Sequence, residues 1–283
     1  MLKRVYLEIT NVCNLACHFC PGTARPPHFL SPEEFSTLAE KLRGETEYLY
    51  FHVMGEPLLH PQLPLFLDIA ADKGFKVCLT TNGTLLPQRL DELLGARNLH
   101  KISVSLHSFE GNDCPGGDLE GYIRGAAESC AKLAQRGTIC AFRLWNNGGA
   151  QEKNSQIISL LAQALSVNIA GLTRDVRGNF KLGERLYLEE ADKFDWPDPA
   201  AEAGGVEFCL GLRQQAAVLC DGTVVPCCLD SEGRLALGNL FAQNWRDILC
   251  APRARAMVEG FSRRRPTEEL CRRCGYARRF SKG

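Results

Sequence analysis

The chain has 283 residues, enough for one large domain or a large and a small one. Lys plus Arg (33) balance Asp plus Glu (33), so the formal net charge is +0, which argues against whole-chain attraction to nucleic acid or anionic lipid while leaving room for a local patch. No apolar run approaches the roughly 20 residues needed to span a bilayer, and the opening MLKRVYLEIT lacks the apolar stretch of a signal peptide, so the expected location is cytoplasmic and no membrane partner is expected.

The first two-thirds alternate between strand and helix patterns. Val5 to Ile9 alternates as a strand. Ser31-Pro32-Glu33-Glu34 is a helix start, with Ser as N-cap, Pro at the first helical position and Glu at the third, and the helix should run to about Arg43. Strands follow at Tyr48 to Val53, Phe75 to Thr81, Lys101 to Leu106 and Ile139 to Trp145. Helices are expected at Pro64 to Lys73, Pro87 to Leu94, Leu119 to Gln135 and Gln156 to Leu165, and a sixth strand at Ile169 to Arg174. Such units predict parallel strands with helices outside. Periodicity cannot choose between a partial barrel and an open doubly wound sheet, but in both the ligands gather at the C-terminal ends of the strands. Asp195 to Gly205, rich in Pro, Ala and Gly, reads as a linker. Beyond it Gln214 to Pro226 reads as a hairpin turning at Asp221-Gly222, and Phe241 to Val258 as a helix interrupted at Pro252.

The unusual count is 14 Cys. A reducing compartment does not keep that many thiols for disulfides, so metal is the first candidate. Cys13, Cys17 and Cys20, spaced C-x3-C-x2-C, lie on one short loop directly after the first strand. A structural zinc site wants four ligands and no vacancy. A [4Fe–4S] cube wants one external ligand per iron, and three Cys leave one iron open for a small molecule. Zinc held by the triad plus His18 or His28 is the competing reading. It leaves unexplained why a zinc knuckle should sit on the active edge of a strand–helix array.

Glu8-Ile9-Thr10 followed by Cys-Asn-Leu-Ala-Cys-His-Phe-Cys-Pro resembles the opening of radical S-adenosylmethionine (SAM) enzymes. The resemblance implies a partial (β/α)6 TIM-like barrel, a [4Fe–4S] cluster whose open iron binds SAM, reductive SAM cleavage, and hydrogen abstraction from a substrate by a 5′-deoxyadenosyl radical. Gly55-Glu56-Pro57 resembles the family's GEP motif: Glu56 would accept from the SAM ammonium and Gly55 would allow close backbone approach. Phe19 would pack against adenine. Asn82 lies in a ligand-facing turn after the third strand, Ser105 matches a residue near the SAM ribose, and Arg143 would pair with the SAM carboxylate or with substrate. His107-Ser108 stands where many relatives have Asp-Gly, which departs from the usual ribose contact.

Cys209, Cys227, Cys271 and Cys274 form a second set, spaced C-x12-G-x4-C and then C-x2-C. Chemically a closed tetrad is structural zinc or a four-Cys iron–sulfur cluster. The spacing resembles SPASM/twitch extensions, which implies an auxiliary [4Fe–4S] cluster, a single one here because no Cys follows Cys274. Cys228 is an alternative to Cys227, and Cys220 a weaker one. Cys78, Cys114, Cys130, Cys140 and Cys250 read as buried small residues or surface thiols, with Cys114 placed to reach substrate. From Cys250 onward ten Lys or Arg face Glu259, Glu268 and Glu269, which reads as a solvated basic face, a partner dock, or compensation for a thiolate-rich cluster. Nucleic acid is not an expected partner, since aromatics are sparse among these arginines.

These readings divide the chain into a barrel (1–195), a linker (196–207) and a small Cys-rich α+β auxiliary domain (208–283). The resemblance implies modification of a peptide or protein side chain, with a reducing partner such as flavodoxin or ferredoxin. The alternatives are a dehydrogenase of a small alcohol or sugar, and a non-catalytic zinc- or iron-binding regulatory protein.

Overall fold

A computed structural model describes residues 1–112 and 117–280. Five strand–helix units follow one another: β1 (Arg4–Leu7), α1 (Pro32–Leu42), β2 (Tyr48–Tyr50), α2 (Leu63–Asp72), β3 (Lys76–Thr81), α3 (Leu90–Gly95), β4 (Leu99–Ser105), α4 (Leu119–Gln135), β5 (Ile139–Asn147) and α5 (Asn154–Leu165). The start of α1 is a complete capping box: Glu34 N donates to Ser31 Oγ and Ser31 N to the Glu34 carboxylate.

Strands β1 to β5 pair in parallel in chain order. Their alternation sets two faces. Val5, Leu49, Val77, Ile102, Val104, Cys140 and Phe142 are fully buried beneath the helices. The residues between them, among them Arg4, Tyr50, Thr80, Lys101 and Arg143, line the interior and stay partly exposed. Helices α1 and α2 are locked by Phe35 stacked on Phe66 at 4.3 Å.

The sixth strand is not where periodicity placed it. Ile169–Gly171 is a 3-10 turn, and the strand parallel to β5 is β7 (Leu186–Asp192), reached through β6 (Phe180–Gly183), which pairs antiparallel with β7. The reason is burial. Of residues 169–174 only Ile169 enters the core, whereas Leu186 and Leu188 supply the alternation a core-facing strand needs.

Past the Pro/Gly-rich stretch, β8 (Gln215–Val218) pairs in parallel with the free side of β1, and β9 (Thr223–Val225) and β10 (Gly238–Asn239) extend the same sheet. The order β10-β9-β8-β1-β2-β3-β4-β5-β7-β6 is therefore one continuous, open sheet. Helices α6 (Trp245–Leu249), α7 (Pro252–Ser262) and α8 (Glu269–Arg272) complete the Cys-rich end, with Pro252 at the first turn of α7 rather than inside a helix. The chain is thus an α/β partial barrel followed by a small α+β module joined to its first strand.

Candidate functional site

The chain leaving β1 is pinched into a loop before the first thiol. Thr10 bridges Phe29, its hydroxyl donates to His28 O (2.8 Å), and the Asn11 side chain joins Pro26 O and His28 N (2.9 and 2.8 Å). Gly55 lies against this neck with φ +75°. A Cβ there would fall 2.4 Å from Thr10 O, so only glycine permits the approach. The close contact Gly55 makes is thus with the cysteine loop, and Glu56 N seals it by donating to Val12 O (2.9 Å).

Cys13, Cys17 and Cys20 face one another within this loop. Burial raises all three thiols, Cys17 to about 11, with the neighbouring thiols adding to the rise at Cys13 and Cys17. Thiols so reluctant to ionise alone suit a cationic centre that takes the place of their protons. Asn112 Nδ2 donates to Cys17 Sγ (2.8 Å) while its Oδ1 accepts from Ala16 N (2.8 Å), and Asn82 Nδ2 lies 3.9 Å from Cys13 Sγ. Among the described residues no three His, Cys, Asp or Glu close around a point that could hold a single metal ion. His28 is engaged with Glu34 (3.2 Å).

The other expected contacts gather on the same strand ends. Glu56 is buried, its Oε1 accepting from Leu58 N (3.0 Å) and its Oε2 from Asn82 N (2.7 Å). Burial pushes its carboxyl up to about 7 against these two amides and the Thr81 side chain. With three of its about four lone pairs so engaged, the carboxylate keeps about one for a cation. Phe19 packs on His107 (ring centroids 4.9 Å) and against Gly111. His107 is buried, with Nδ1 at 3.0 Å from Arg143 O, so the residue that departs from the family pattern is committed to packing. Ser105 accepts from Ser108 Oγ through its carbonyl (2.6 Å). Arg143 is held by Glu189 (3.1 Å) and Thr80 (3.3 Å) and lies over the Trp145 ring at 4.4 Å, so its charge already has an internal partner. Cys114 lies outside the described residues.

At the other centre Cys227 faces Cys209, Cys228, Cys271 and Cys274 together. Cys209, Cys271 and Cys274 also share one packed cluster with Val206 and Phe261. Burial raises every one of these thiols, Cys274 to about 11, and the neighbouring thiols add to the rise at Cys227, Cys271 and Cys274. Cys228 faces Cys209 as well, and in addition hydrogen-bonds Tyr6 and packs with Tyr6, Val53 and Met54. Cys220 is tied to Arg25 (3.5 Å) and Glu8. Every described cysteine is a free thiol.

Sequence reasoning assigned no role to the group that joins the two centres. Glu8 is fully buried at the end of β1. Its Oε1 accepts from Arg25 Nη2 (2.7 Å) and Met54 N (3.0 Å), and its Oε2 from Cys220 N (3.0 Å). Arg25, beyond the cysteine loop, also donates to Ser231 O (2.8 Å). One carboxylate thereby fixes the cysteine loop, the turn before Glu56 and the hairpin turn. Trp196 adds a further tie, donating to Phe19 O (3.1 Å). A cavity of about 840 Å³ is lined by sequence neighbours of both cysteine sets, His18, Phe19 and Pro21 on one side and Leu270, Arg273 and Gly275 on the other.

Residues 7–131 match the radical SAM superfamily profile, and residues 209–275 match SPASM, an iron–sulfur cluster-binding domain. Residues 7–131 thus resemble the radical SAM superfamily, and residues 209–275 its SPASM extensions. Its segment is 37% identical over 110 residues to a GTP 3′,8-cyclase of Chlorobaculum tepidum, covering 38% of this chain and 33% of that protein. It is 26% identical over 192 residues to an Fe-coproporphyrin III synthase of Methanosarcina barkeri, covering 66% of this chain and 48% of that protein. The chain thus spans between a third and a half of these curated relatives. The fold is shared with BtrN in complex with AdoMet and 2-DOIA: TM-score 0.64 at 18% identity, over 97% of this chain and 93% of BtrN.

The radical SAM match implies a [4Fe–4S] cluster and SAM as cofactors, and the SPASM match a further iron–sulfur centre. The residues fit both groups: three mutually facing thiols with amide donors at the loop, and a convergent, partly buried tetrad at the C-terminal end. The C-terminal arginines are largely matched in place. Arg253 pairs with Glu268 (2.8 Å), Arg264 with Glu207 (2.9 Å), Arg272 and Arg273 with Glu269, and Arg263 with Glu259. No described helix is long and apolar enough to cross a membrane.

Proposed function

We propose that this chain is a radical SAM enzyme that takes a hydrogen atom from a peptide or protein side chain held between its two iron–sulfur centres. The observation that carries this reading is the cavity lined by sequence neighbours of both cysteine sets. A second cavity of about 700 Å³ adjoins it, sharing Lys193, Phe194, Asp195, Gly275 and Arg278, and reaches Asn147 and Asp192 at the ends of β5 and β7. Together they make room for an extended segment. Each alone falls within the range of a small-molecule pocket, which favours dehydrogenation of a small alcohol or sugar as the second reading.

In this proposal Cys13, Cys17 and Cys20 hold the SAM-binding cluster, and Cys209, Cys227, Cys271 and Cys274 hold the auxiliary one. When bound, the cluster and SAM supply reductive carbon–sulfur cleavage and a radical able to abstract hydrogen. The chain's residues do the rest. Glu56 presents a carboxylate to the SAM ammonium, while Asn82 and Ser105 border the nucleoside. Phe19 is committed to His107 and closes the pocket wall, and Gly55 fixes the height of the cysteine loop. A flavodoxin- or ferredoxin-type donor provides the electron.

Anaerobic reconstitution should give about eight irons per chain, from two four-iron cubes. The reduced protein should form 5′-deoxyadenosine from SAM. Cys17→Ala should lose that activity and about four irons, and Cys271→Ala should lose the other four while keeping the SAM-responsive spectrum. Zinc in place of iron, or both clusters surviving either change, would remove the reading.

A further inference from the structure

The barrel interior carries an unbalanced charge. Cys78, on β3, hydrogen-bonds Tyr50 and is surrounded by three cations from three other strands: Arg4 of β1, Lys101 of β4 and Arg143 of β5. Among the described residues a single carboxylate answers them. Glu189 of β7 accepts from Lys101 Nζ (2.7 Å) and Arg143 Nε (3.1 Å). Burial works against its ionisation, yet the two cations hold its carboxyl below the ordinary value. Side chains of Lys101, Arg143 and Glu189 keep 24%, 16% and 15% of their surface, so the lumen reaches them.

Two polar atoms in this layer have no partner among the described residues. Arg4 Nε and His52 Nδ1 are both buried and unbonded. Arg4 lies against Tyr50, its guanidinium 5.8 Å from the ring centroid. His52 stands edge-on to Tyr6 (5.2 Å), faces Arg143, and is held neutral, its imidazolium pushed down to about 3 by burial and by that cation. A neutral imidazole offers either a donor or an acceptor. Charges hemmed in by a protein wall are stable only when matched. Three cations and one carboxylate leave a net charge of about two positive units, together with two unsatisfied polar atoms.

We propose that the barrel lumen binds an anionic oxygen group of the substrate, a carboxylate or phosphate, between Lys101 and Arg143, whose side chains keep exposed surface. This rests on the proposed radical SAM activity and adds to it that part of the substrate passes from the cavity beside Phe19 into the barrel interior. It narrows the substrate to a molecule or side chain that carries a negative group near the abstracted hydrogen. The same chemistry is present in the carboxylate of SAM itself, so the test separates the two sources.

The reconstituted holoprotein, saturated with SAM, is titrated with succinate and with inorganic pyrophosphate by calorimetry. At least one should bind the wild type. Lys101→Met should weaken that binding about tenfold or more, the loss of one charge-assisted contact. Glu189→Gln, which frees two cations, should tighten it. The affinity of Lys101→Met for SAM should stay at the wild-type value. No binding of either anion, equal binding by all three proteins, or a fall in SAM affinity matching the fall in anion affinity would each overturn the proposal. Wild type that forms 5′-deoxyadenosine yet ignores both anions would sink this inference alone. Failure to cleave SAM would instead sink the enzymatic reading on which it rests.

Discussion

Glu8→Ala should be among the most damaging single changes outside the cysteines. The carboxylate has no exposed surface, and its partner Arg25 keeps only 11% of its side-chain area. Removing one member of a buried ion pair costs about 3–5 kcal/mol. The same change leaves the backbone N–H groups of Met54 and Cys220 without acceptors, at roughly 1–3 kcal/mol each when nothing replaces them. These terms overlap, because relaxation that rescues one donor rescues its neighbours, so the net loss should be about 4 kcal/mol. At 2–4 °C per kcal/mol, that is a fall in melting temperature of about 10 °C. Thermal unfolding of the cluster-free protein, followed anaerobically by tryptophan fluorescence, measures it. Arg25→Met supplies the control: if the pair is the origin, the double variant should lose clearly less than the sum of the two single changes. Melting within about 2 °C of wild type, or strict additivity, would show that the joint between the two cysteine centres lies elsewhere.

Gly55→Ala places a methyl group 2.4 Å from Thr10 O at a positive φ and should cost about 3 kcal/mol. Because the strain falls on the neck of the cysteine loop, iron analysis should show selective loss of the SAM-binding cluster; eight irons and normal stability would contradict this. Asn112→Ala removes the 2.8 Å amide donor from Cys17, so the SAM-binding cluster should move to lower potential while the auxiliary cluster keeps its own, readable by paramagnetic resonance during redox titration. The Glu56 carboxyl, near 4.5 when unfolded and about 7 when folded, prefers its proton in the fold. Its contribution is complete below pH 4.5 and lost as pH rises through 7. Cluster-free wild type should therefore lose about 3 kcal/mol relative to Glu56→Gln between pH 4.5 and 8. Parallel pH profiles for the two proteins would show that the carboxyl is not buried as described.

Much was legible in the chain itself. Ser31-Pro32-Glu33-Glu34 announces α1 because a capping box is a local hydrogen-bond exchange, complete within four residues. The three-Cys loop after the first strand announces its chemistry because ligand number and spacing are covalent facts. The alternation of β1 and β3 to β5 follows from burial on one face only. Tertiary structure decided whatever depends on residues far apart. The place of the sixth strand turned on which segment could bury Leu186 and Leu188 against the barrel. Cys227 and Cys228 both come to face C-terminal thiols only when the turn after β9 carries them there, and Cys228 also reaches Tyr6. Glu8 becomes a joint only when Arg25, Met54 and Cys220 arrive around it, and the three lumen cations meet only when β1, β4 and β5 curl round β3. A local pattern is written in neighbouring residues; a buried charge takes its meaning from whatever the fold brings to face it.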